Sequence, residues 1–475
     1  MNLIVICADT LRYDVVRHAH PVAVATPALD ALARESAVFT AAYGEGEPTI
    51  PVRRAFFTGM RSFPWRFAFD TAGLWPTGRG WHRIPPEQPT LAEVLLQHGY
   101  KTALFSDTYH TFKPTMNFTR GFVNYEFIRG QESDNWKGGS LASIAAVAKR
   151  HVAGELNPAE HAVLLAYLFN NRWRTNEENW TSARVFRAAM DWLDDNHRDT
   201  PFFLWVESFD PHEPWDPPRE YANRYYPDLG ERGKEYIFHQ QATHATPEEQ
   251  ERMKALYYGE VTFVDRWIGR IYEKLNSLKL LDDTVVMFVT DHGTELLDHG
   301  RFGKSAPHLF AHNTQLLWFI RHPDGSRQGQ EIGSFVQNHD LFPTVLEVLG
   351  LPARNVDGQS AWPLVTGSAT RTRDHIITGW GSYASVRDRF WNYTVNFEEP
   401  EADTRLYDLV NDPKEQRNVA PDRPETVAQK RAMLEEFLGQ PLPARLPDQV
   451  FASNAPTRAY YGSRATREQQ ESGFV

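Results

Sequence analysis

Four short runs constrain this chain's fold more than anything else in it. Leu3–Ala8, Lys101–Ser106, Phe202–Phe209 and Thr284–Thr290 are apolar almost throughout. A strand wetted on one face alternates apolar with polar residues; a strand buried on both faces does not. Together with the helical patterns between them, the runs predict an α/β fold, a large doubly wound sheet covered by helices on both sides. Ligands of such sheets bind beyond the carboxyl ends of the strands. Asp9 follows the first run, Tyr109 and Thr111 the second, Asp210 and His212 the third, Asp291 and His292 the fourth. Four strand ends thus bring polar, titratable residues to one rim.

The helices have readable ends. Thr26-Pro27 supplies a cap and a first-turn proline for one, and Thr90 opens another that Gly99 closes. Thr246-Pro247-Glu248-Glu249 opens a long amphipathic stretch to about Leu280. The 475 residues suit one large domain and one small one, with boundaries at 1–375 and 376–440. Within the second, Ser382 to Phe397 predicts a pair of antiparallel strands, and a helix follows near Glu425–Leu438. Residues 441–475, rich in Pro, Ala, Arg and Gln, read as an extended arm. That arm either lies on its own subunit, reaches a neighbour in a homo-oligomer, or is disordered.

Composition excludes some partners. A formal net charge of −11 argues against nucleic acid, whose phosphates need a basic stripe. Cys7 is the only cysteine, so no intramolecular disulfide can form. No stretch approaches the roughly 20 apolar residues that span a bilayer, and Met1–Asp9 lacks the basic region and cleavage site of a signal peptide. A cytoplasmic protein acting on a small anionic ester, with no membrane partner, is the expectation.

The segment Thr49 to Gly59, TIPVRRAFFTG, carries the most chemistry. Pro51 suits a helix start, which sets Thr49 just before the free N–H groups of a helix N-terminus, where an anion is favoured. Arg53 returns to the same face one turn on. This segment resembles the sulfatase signature Cys-x-Pro-Ser-Arg-x-x-x-Leu-Thr-Gly, with Thr49 in the cysteine position and Val52 departing. LIVICADTLRYD, TPALDALARESAVFTAAY, FDPHEPWDPP, VTDHGTELLDHGRFGK and RLYDLVNDPKEQRNVA are similar to further landmarks of that family, in the same order. The resemblance implies the large mixed sheet of the alkaline phosphatase superfamily with a smaller C-terminal α+β subdomain.

It also implies roles. Asp9, Asp291, His292 and the Thr49 oxygen match a metal site; Arg53 steadies Thr49; His212 and Lys304 hold ester oxygens and protonate the leaving group. The family's usual lysine and histidine after the second strand are replaced by Asp107, Tyr109 and Thr111, similar to phosphonate monoester hydrolases and phosphodiesterases, as a substrate-binding set. Which of the three faces the site stays open by one side-chain alternation. Thr10 stands where a second metal aspartate would. The sequence offers no convincing Asp-x-x-x-His pair with a further histidine, as a two-zinc phosphatase needs, so one ion is expected. Its nitrogen ligand favours Mn²⁺ or Zn²⁺, with Ca²⁺ kept open. His308 and His312 sit at helical spacing and either join a site or, as such pairs more often do, serve as structural or supporting residues. Arg12, Arg120 and Arg129 read as structural ion pairs. A rim of Trp81, Tyr109, Trp136, Trp215 or Trp380 is conceivable, although tryptophans mostly pack.

A threonine cannot become formylglycine, so the hemiacetal exit of sulfatases is closed. Water must instead clear a Thr49 adduct, which phosphoryl and phosphonyl centres permit. The expected function is a metal-dependent hydrolase of phosphate diesters or phosphonate monoesters. A sulfatase that lacks its cysteine, and an inactive anion-binding protein of the same fold, are the alternatives.

Overall fold

A computed structural model describes residues 1–17, 20–66, 78–113, 116–132, 134–152, 154–230, 245–447 and 460. Most of the 441–475 arm lies outside the described residues. The strands in chain order are β1 (Asn2–Ala8), β2 (Ala37–Tyr43), β3 (Lys101–Ser106), β4 (Asn124–Phe127), β5 (Phe202–Ser208), β6 (Thr284–Thr290), β7 (Glu295–Leu296), β8 (Phe302–Gly303), β9 (Gln315–Arg321), β10 (Glu331–Ile332) and β11 (Val336–Gln337). Four more, β12 (Ile376–Trp380), β13 (Tyr383–Arg387), β14 (Trp391–Asn396) and β15 (Thr404–Asp408), follow near the C-terminus.

The main sheet runs β10-β2-β9-β6-β1-β5-β3-β4, with β11 also on β2, and β7 and β8 form a separate hairpin. The four apolar runs are adjacent and parallel in it, as β6-β1-β5-β3. β9 runs antiparallel to both β6 and β2, which makes the sheet mixed. Alternation along β1 sorts its side chains into two cores. Ile4, Ile6 and Ala8 pack with residues of the helices Thr181–Asn196 and Pro247–Ser277. Leu3, Val5 and Cys7 pack with α2 (Ile50–Thr58), α3 (Leu91–Gln97) and the helix Leu341–Val348.

Local chemistry accounts for most helix ends. Thr90 and Glu93 form a reciprocal capping box on α3, and Thr246 and Glu249 do the same for Pro247–Ser277. At α1 (Pro27–Arg34) the sequence marks Thr26 as the cap, but its side chain makes no cap bond. The Asp265 carboxylate accepts from Ala28 N at 3.1 Å and Leu29 N at 2.8 Å instead. A residue more than two hundred positions away thus does the work of the cap.

The C-terminal sheet has four antiparallel strands, β12-β13-β14-β15, where the sequence suggests a pair, and the helix Pro424–Leu438 packs on it. Its core takes in Phe63 and Trp65 from the segment after α2. The loop before Thr49 is stitched to β12: Glu47 N donates to Gly379 O at 2.8 Å, and Gly379 N to Glu45 O at 2.9 Å. A side chain at Gly379 would put its Cβ 2.2 Å from the Phe63 ring. The small sheet therefore braces the segment that enters α2.

Candidate active site

Asp9, Thr49, Arg53, Asp291 and His292 come together, all buried. Asp9 lies one residue beyond β1, Asp291 one residue beyond the parallel β6, and Thr49 is the residue before α2. Thr49 has φ +35° and ψ −82°, an outlier for a β-branched residue that only surrounding structure can hold. At the far end of α2, Gly59 has φ +67°, and a Cβ there would lie 3.0 Å from Phe342 Cβ. That fixes why the segment ends in glycine.

Arg53 gathers three carboxylates. Its Nε donates to Glu207 Oε1 at 2.6 Å, Nη1 to Asp291 Oδ2 at 2.5 Å and Nη2 to Asp9 Oδ2 at 2.9 Å. Nη1 also donates to Thr49 O at 3.1 Å. Every nitrogen of the guanidinium is engaged by the protein, so Arg53 acts here as a positioning group for the two aspartates and Thr49.

The imidazole Nε2 of His292 lies 3.3 Å from Asp291 Oδ2, 3.8 Å from Asp9 Oδ1 and 3.5 Å from Thr49 Oγ1. Its Nδ1 lies 3.0 Å from Gly293 O, a bond that sets the proton on Nδ1 and leaves the Nε2 lone pair facing the aspartates. Burial pushes His292 down to about 4, so the ring is neutral at pH 7. Burial, with Asp291 beside it, pushes the Asp9 carboxyl well up. Burial opposes ionisation of Asp291 too, yet the neighbouring His292 and Arg53 hold it below the ordinary carboxylate range. Donor atoms of Asp9, Asp291 and His292 lie within 4.8 Å of one another. Two facing buried carboxylates and a bare imidazole nitrogen fit a divalent cation, whose charge such a set lacks.

Lys304 follows β8 and reaches the same rim. Its ammonium donates to Thr10 Oγ1 at 3.3 Å and to Glu213 Oε2 at 3.0 Å. Thr10 in turn donates to Asp9 Oδ1 at 2.6 Å and takes Asp291 Oδ1 on its backbone N–H at 2.9 Å. Thr10 therefore links the lysine to both aspartates. His212 Nδ1 lies 2.6 Å from Glu213 O, and its ring stacks on Phe209. Burial pushes His212 down to about 3, an effect Glu213 opposes and Lys304 reinforces.

The residues after β3 divide. The Asp107 carboxylate accepts from Phe209 N at 2.6 Å and from Gln131 Nε2 at 3.0 Å, and Gln131 also bridges to Asp210. Burial, then the Asp210 charge, pushes Asp107 up to about 7. This pair holds β3, β5 and the Gln131 loop together and makes no bond to the Thr49 cluster. Thr111 Oγ1 donates to Thr108 O at 2.8 Å within its own turn. Thr108 Oγ1 is the one that reaches the arginine network, donating to Glu207 Oε1 at 2.6 Å. Lys113 lies over the Tyr109 ring at 5.2 Å and the Trp81 ring at 5.9 Å. His110, buried in the same turn, feels the charges of Lys113, Arg53 and Lys304. The turn that lacks the usual lysine and histidine spacing thus still carries one of each, with His110 Nε2 3.0 Å from Glu132 Oε2.

Sequence reasoning passed over Glu207, Glu213 and Thr108. Glu207 had a signal, because a lone charge in the apolar run FFLWVESF must find a partner once buried. Glu213 and Thr108 had none, since only the fold brings them to Lys304 and Glu207. Arg12 pairs with Asp14 and Asp298, Arg120 with Glu93, and Arg129 with Asp134. Trp215 packs between Tyr257 and Phe302, and Trp136 on Trp173.

Comparison with known proteins gives the family and the fold. The sulfatase family model matches residues 1–351, and a model of the N-sulphoglucosamine sulphohydrolase C-terminal region matches residues 298–439. The chain belongs to the sulfatase family and is an ester hydrolase of the sulfatase-like class. It is 25% identical over 466 residues to an arylsulfatase of Clostridium perfringens, covering 88% of this chain and 90% of the relative. It is 25% identical over 459 residues to a choline-sulfatase of Rhizobium meliloti, covering 88% and 82%. The fold is similar to that of the phosphonate monoester hydrolase of Agrobacterium radiobacter, with TM-score 0.68, 24% identity, and 92% and 95% of the two chains covered. Among the described residues, no helix is long and apolar enough to cross a membrane.

Proposed function

We propose that this chain hydrolyses phosphate diesters or phosphonate monoesters through a covalent adduct on Thr49. The observation that carries the reading is the placement of the Thr49 hydroxyl. It sits on a strained backbone at the start of α2, 3.5 Å from His292 Nε2, and Arg53 holds the backbone carbonyl of the same residue. The only sulfur that could give formylglycine, Cys7, is sealed in the core on the α2 side of the sheet.

Asp9, Asp291, His292 and the Thr49 oxygen would hold one divalent cation, and the imidazole favours Mn²⁺ or Zn²⁺ over Ca²⁺. Such an ion lowers the pKa of a hydroxyl and polarises an ester oxygen. The protein's own groups do the rest. Arg53 keeps both aspartates and the Thr49 carbonyl in place. Thr49 Oγ1, its proton lost to water, adds to phosphorus in line with the leaving oxygen, and the bond from phosphorus to that oxygen breaks. Neutral His212, its proton on Nδ1, cannot give a proton from Nε2, so Lys304 is the group that protonates the leaving oxygen. Its three hydrogen bonds, one to Thr10 Oγ1 and two to the Glu213 carboxylate, hold the ammonium at the rim, and the substrate's leaving oxygen would take the place of one of them. Tyr109, with Thr111 and Lys113 on the same turn, would line the substrate's other side. Water then attacks phosphorus and gives its proton to the Lys304 amine, the bond from phosphorus to Thr49 Oγ1 breaks, and Thr49 regains its proton from solvent.

Rapid quenching during turnover of an aryl phosphonate, followed by peptide mass analysis, tests this. The peptide holding Thr49 should carry the phosphonyl mass, and the Thr49→Ala chain should carry none. An adduct on another residue, or turnover with no adduct at any quench time, overturns the proposal. One observation favours a second reading, sulfate ester hydrolysis: the relatives named above are an arylsulfatase and a choline-sulfatase.

A further inference from the structure

A second group of metal-ligating side chains converges beside the hairpin that carries Lys304. Glu295 opens β7, His299 lies in the turn between β7 and β8, and His312 lies in the short helix Ala311–Thr314 that leads into β9. One donor atom from each falls within 4.8 Å of the others. Glu295 Oε2, His299 Nδ1 and His312 Nε2 are shut off from water, and none has a hydrogen-bond partner. Three such atoms left together are costly unless something binds them.

Their neighbours orient them as ligands. His299 Nε2 lies 3.0 Å from the Glu415 carbonyl, closer than its other neighbour, Gln416 Nε2 at 3.3 Å. Donation to that carbonyl puts the proton on Nε2 and bares Nδ1. His308 Nδ1 and Asn313 Nδ2 both bond Glu295 Oε1, at 2.6 and 3.4 Å, which holds the carboxylate and leaves Oε2 over. Glu295 Oε2 and His299 Nδ1 are 3.7 Å apart, too far for a hydrogen bond between them. The His299 and His312 rings lie with centroids 4.9 Å apart and planes at 29°. Supporting bonds on the far side of each ligand are the usual companions of a metal site.

We propose that Glu295, His299 and His312 form a second metal site, one that takes a zinc-class divalent ion and serves structure. Two imidazoles and one carboxylate are a known three-ligand zinc set that leaves a fourth position open; the bracing role follows from what the three ligands join. The ion ties three things together. Glu295 anchors the hairpin whose end is Lys304. The His312 backbone packs on Gly293, beside His292, so closely that a Cβ at Gly293 would come within 2.0 Å of His312 O. Glu415, which receives His299, also takes Arg387, Asn392 and Ala311 N, and so joins the C-terminal sheet. The inference rests on no role assigned to Thr49.

Counting zinc per chain tests it. Full-length protein is stripped with a chelator, reloaded with Zn²⁺ and desalted, and bound metal is measured by mass spectrometry alongside the melting temperature. The His299→Gln, His312→Gln chain should hold one equivalent fewer than the parent. The Asp9→Asn, Asp291→Asn chain should keep one equivalent, with imidazole in its zinc absorption spectrum, and should melt higher with zinc than without. An unchanged count in the histidine variant overturns the site. If that variant does not fold, the aspartate variant decides alone, and binding no zinc there overturns the site. Failure of the Thr49 mechanism would leave this count unchanged.

Discussion

Arg53 and Glu207 meet at 2.6 Å with neither side chain open to water, and this pair sets the geometry of everything around Thr49. Glu207 is the one charged residue of β5, and it also accepts from Trp205 Nε1 and Thr108 Oγ1. With Nε held there, the two outer nitrogens of Arg53 point at Asp291 and Asp9. Glu207 therefore aims the arginine, and the arginine aims both aspartates.

Glu207→Gln should accordingly lower stability by about 2 kcal/mol, the scale of a buried hydrogen bond to a charged group. Arg53 keeps its other three partners, Asp291, Asp9 and the Thr49 carbonyl, so the fold survives. A shift in the urea midpoint at unchanged slope would register the loss. kcat should fall with it, and an unaltered kcat would show that Arg53 needs no such anchor.

Substitutions at Thr49 separate chemistry from strain. Thr49→Ala should abolish turnover and leave the fold intact. Thr49→Gly should be equally inactive, yet more stable than the alanine chain by about 1 kcal/mol, because glycine accepts φ +35° without strain. Thr49→Ser should retain activity. Melting curves and steady-state rates of the three chains make the comparison. Turnover by the alanine chain at the parent rate would remove Thr49 from the mechanism.

Much of this was legible in the sequence, for definite reasons. Strands buried on both faces leave unbroken apolar runs, so β1, β3, β5 and β6 were plain, and the residues after them fell on one rim. Thr90 and Thr246 cap as expected because both halves of their capping boxes are local. Thr26 does not, since its helix is capped by Asp265, and no local pattern carries that information. β12 and β15 were missed as five-residue strands, the second of them, Thr404–Asp408, carrying Arg405 and Asp408. Asp107 and Thr111 are a question of side-chain alternation past a strand end, which the chain's turn settles and its composition does not.

Asp265 gives a pH prediction. Burial pushes its carboxyl up to about 7 from an ordinary 3.8, although the Leu29 and Ala28 N–H groups pull the other way. A carboxyl raised on folding contributes stability below its unfolded pKa and loses it as pH rises through the folded one. The Asp265→Asn chain has no such group. Its melting temperature relative to the parent should therefore climb between about pH 4 and pH 7 and level off above. A difference that stays flat over that window would contradict the shift.

Lys304→Ala should show which group protonates the leaving oxygen. General acid catalysis contributes on the order of 10²–10⁴ in rate, and only where the leaving group needs a proton. The variant should lose far more on an alkyl ester than on a 4-nitrophenyl ester of the same phosphonate. His212→Asn should lack that dependence. Equal losses on both esters in the Lys304 variant would assign the proton elsewhere.

The central claim is that a single threonine hydroxyl commits this site to phosphorus esters. The direct measurement is kcat/KM for a phosphate diester, a phosphonate monoester and a sulfate monoester of one aryl alcohol, each assayed with Mn²⁺ and with Zn²⁺. Leaving group and charge are then matched, and only the centre attacked differs. The diester or the phosphonate should be hydrolysed faster than the sulfate with either metal. A higher kcat/KM on the sulfate ester than on both phosphorus esters would contradict the account.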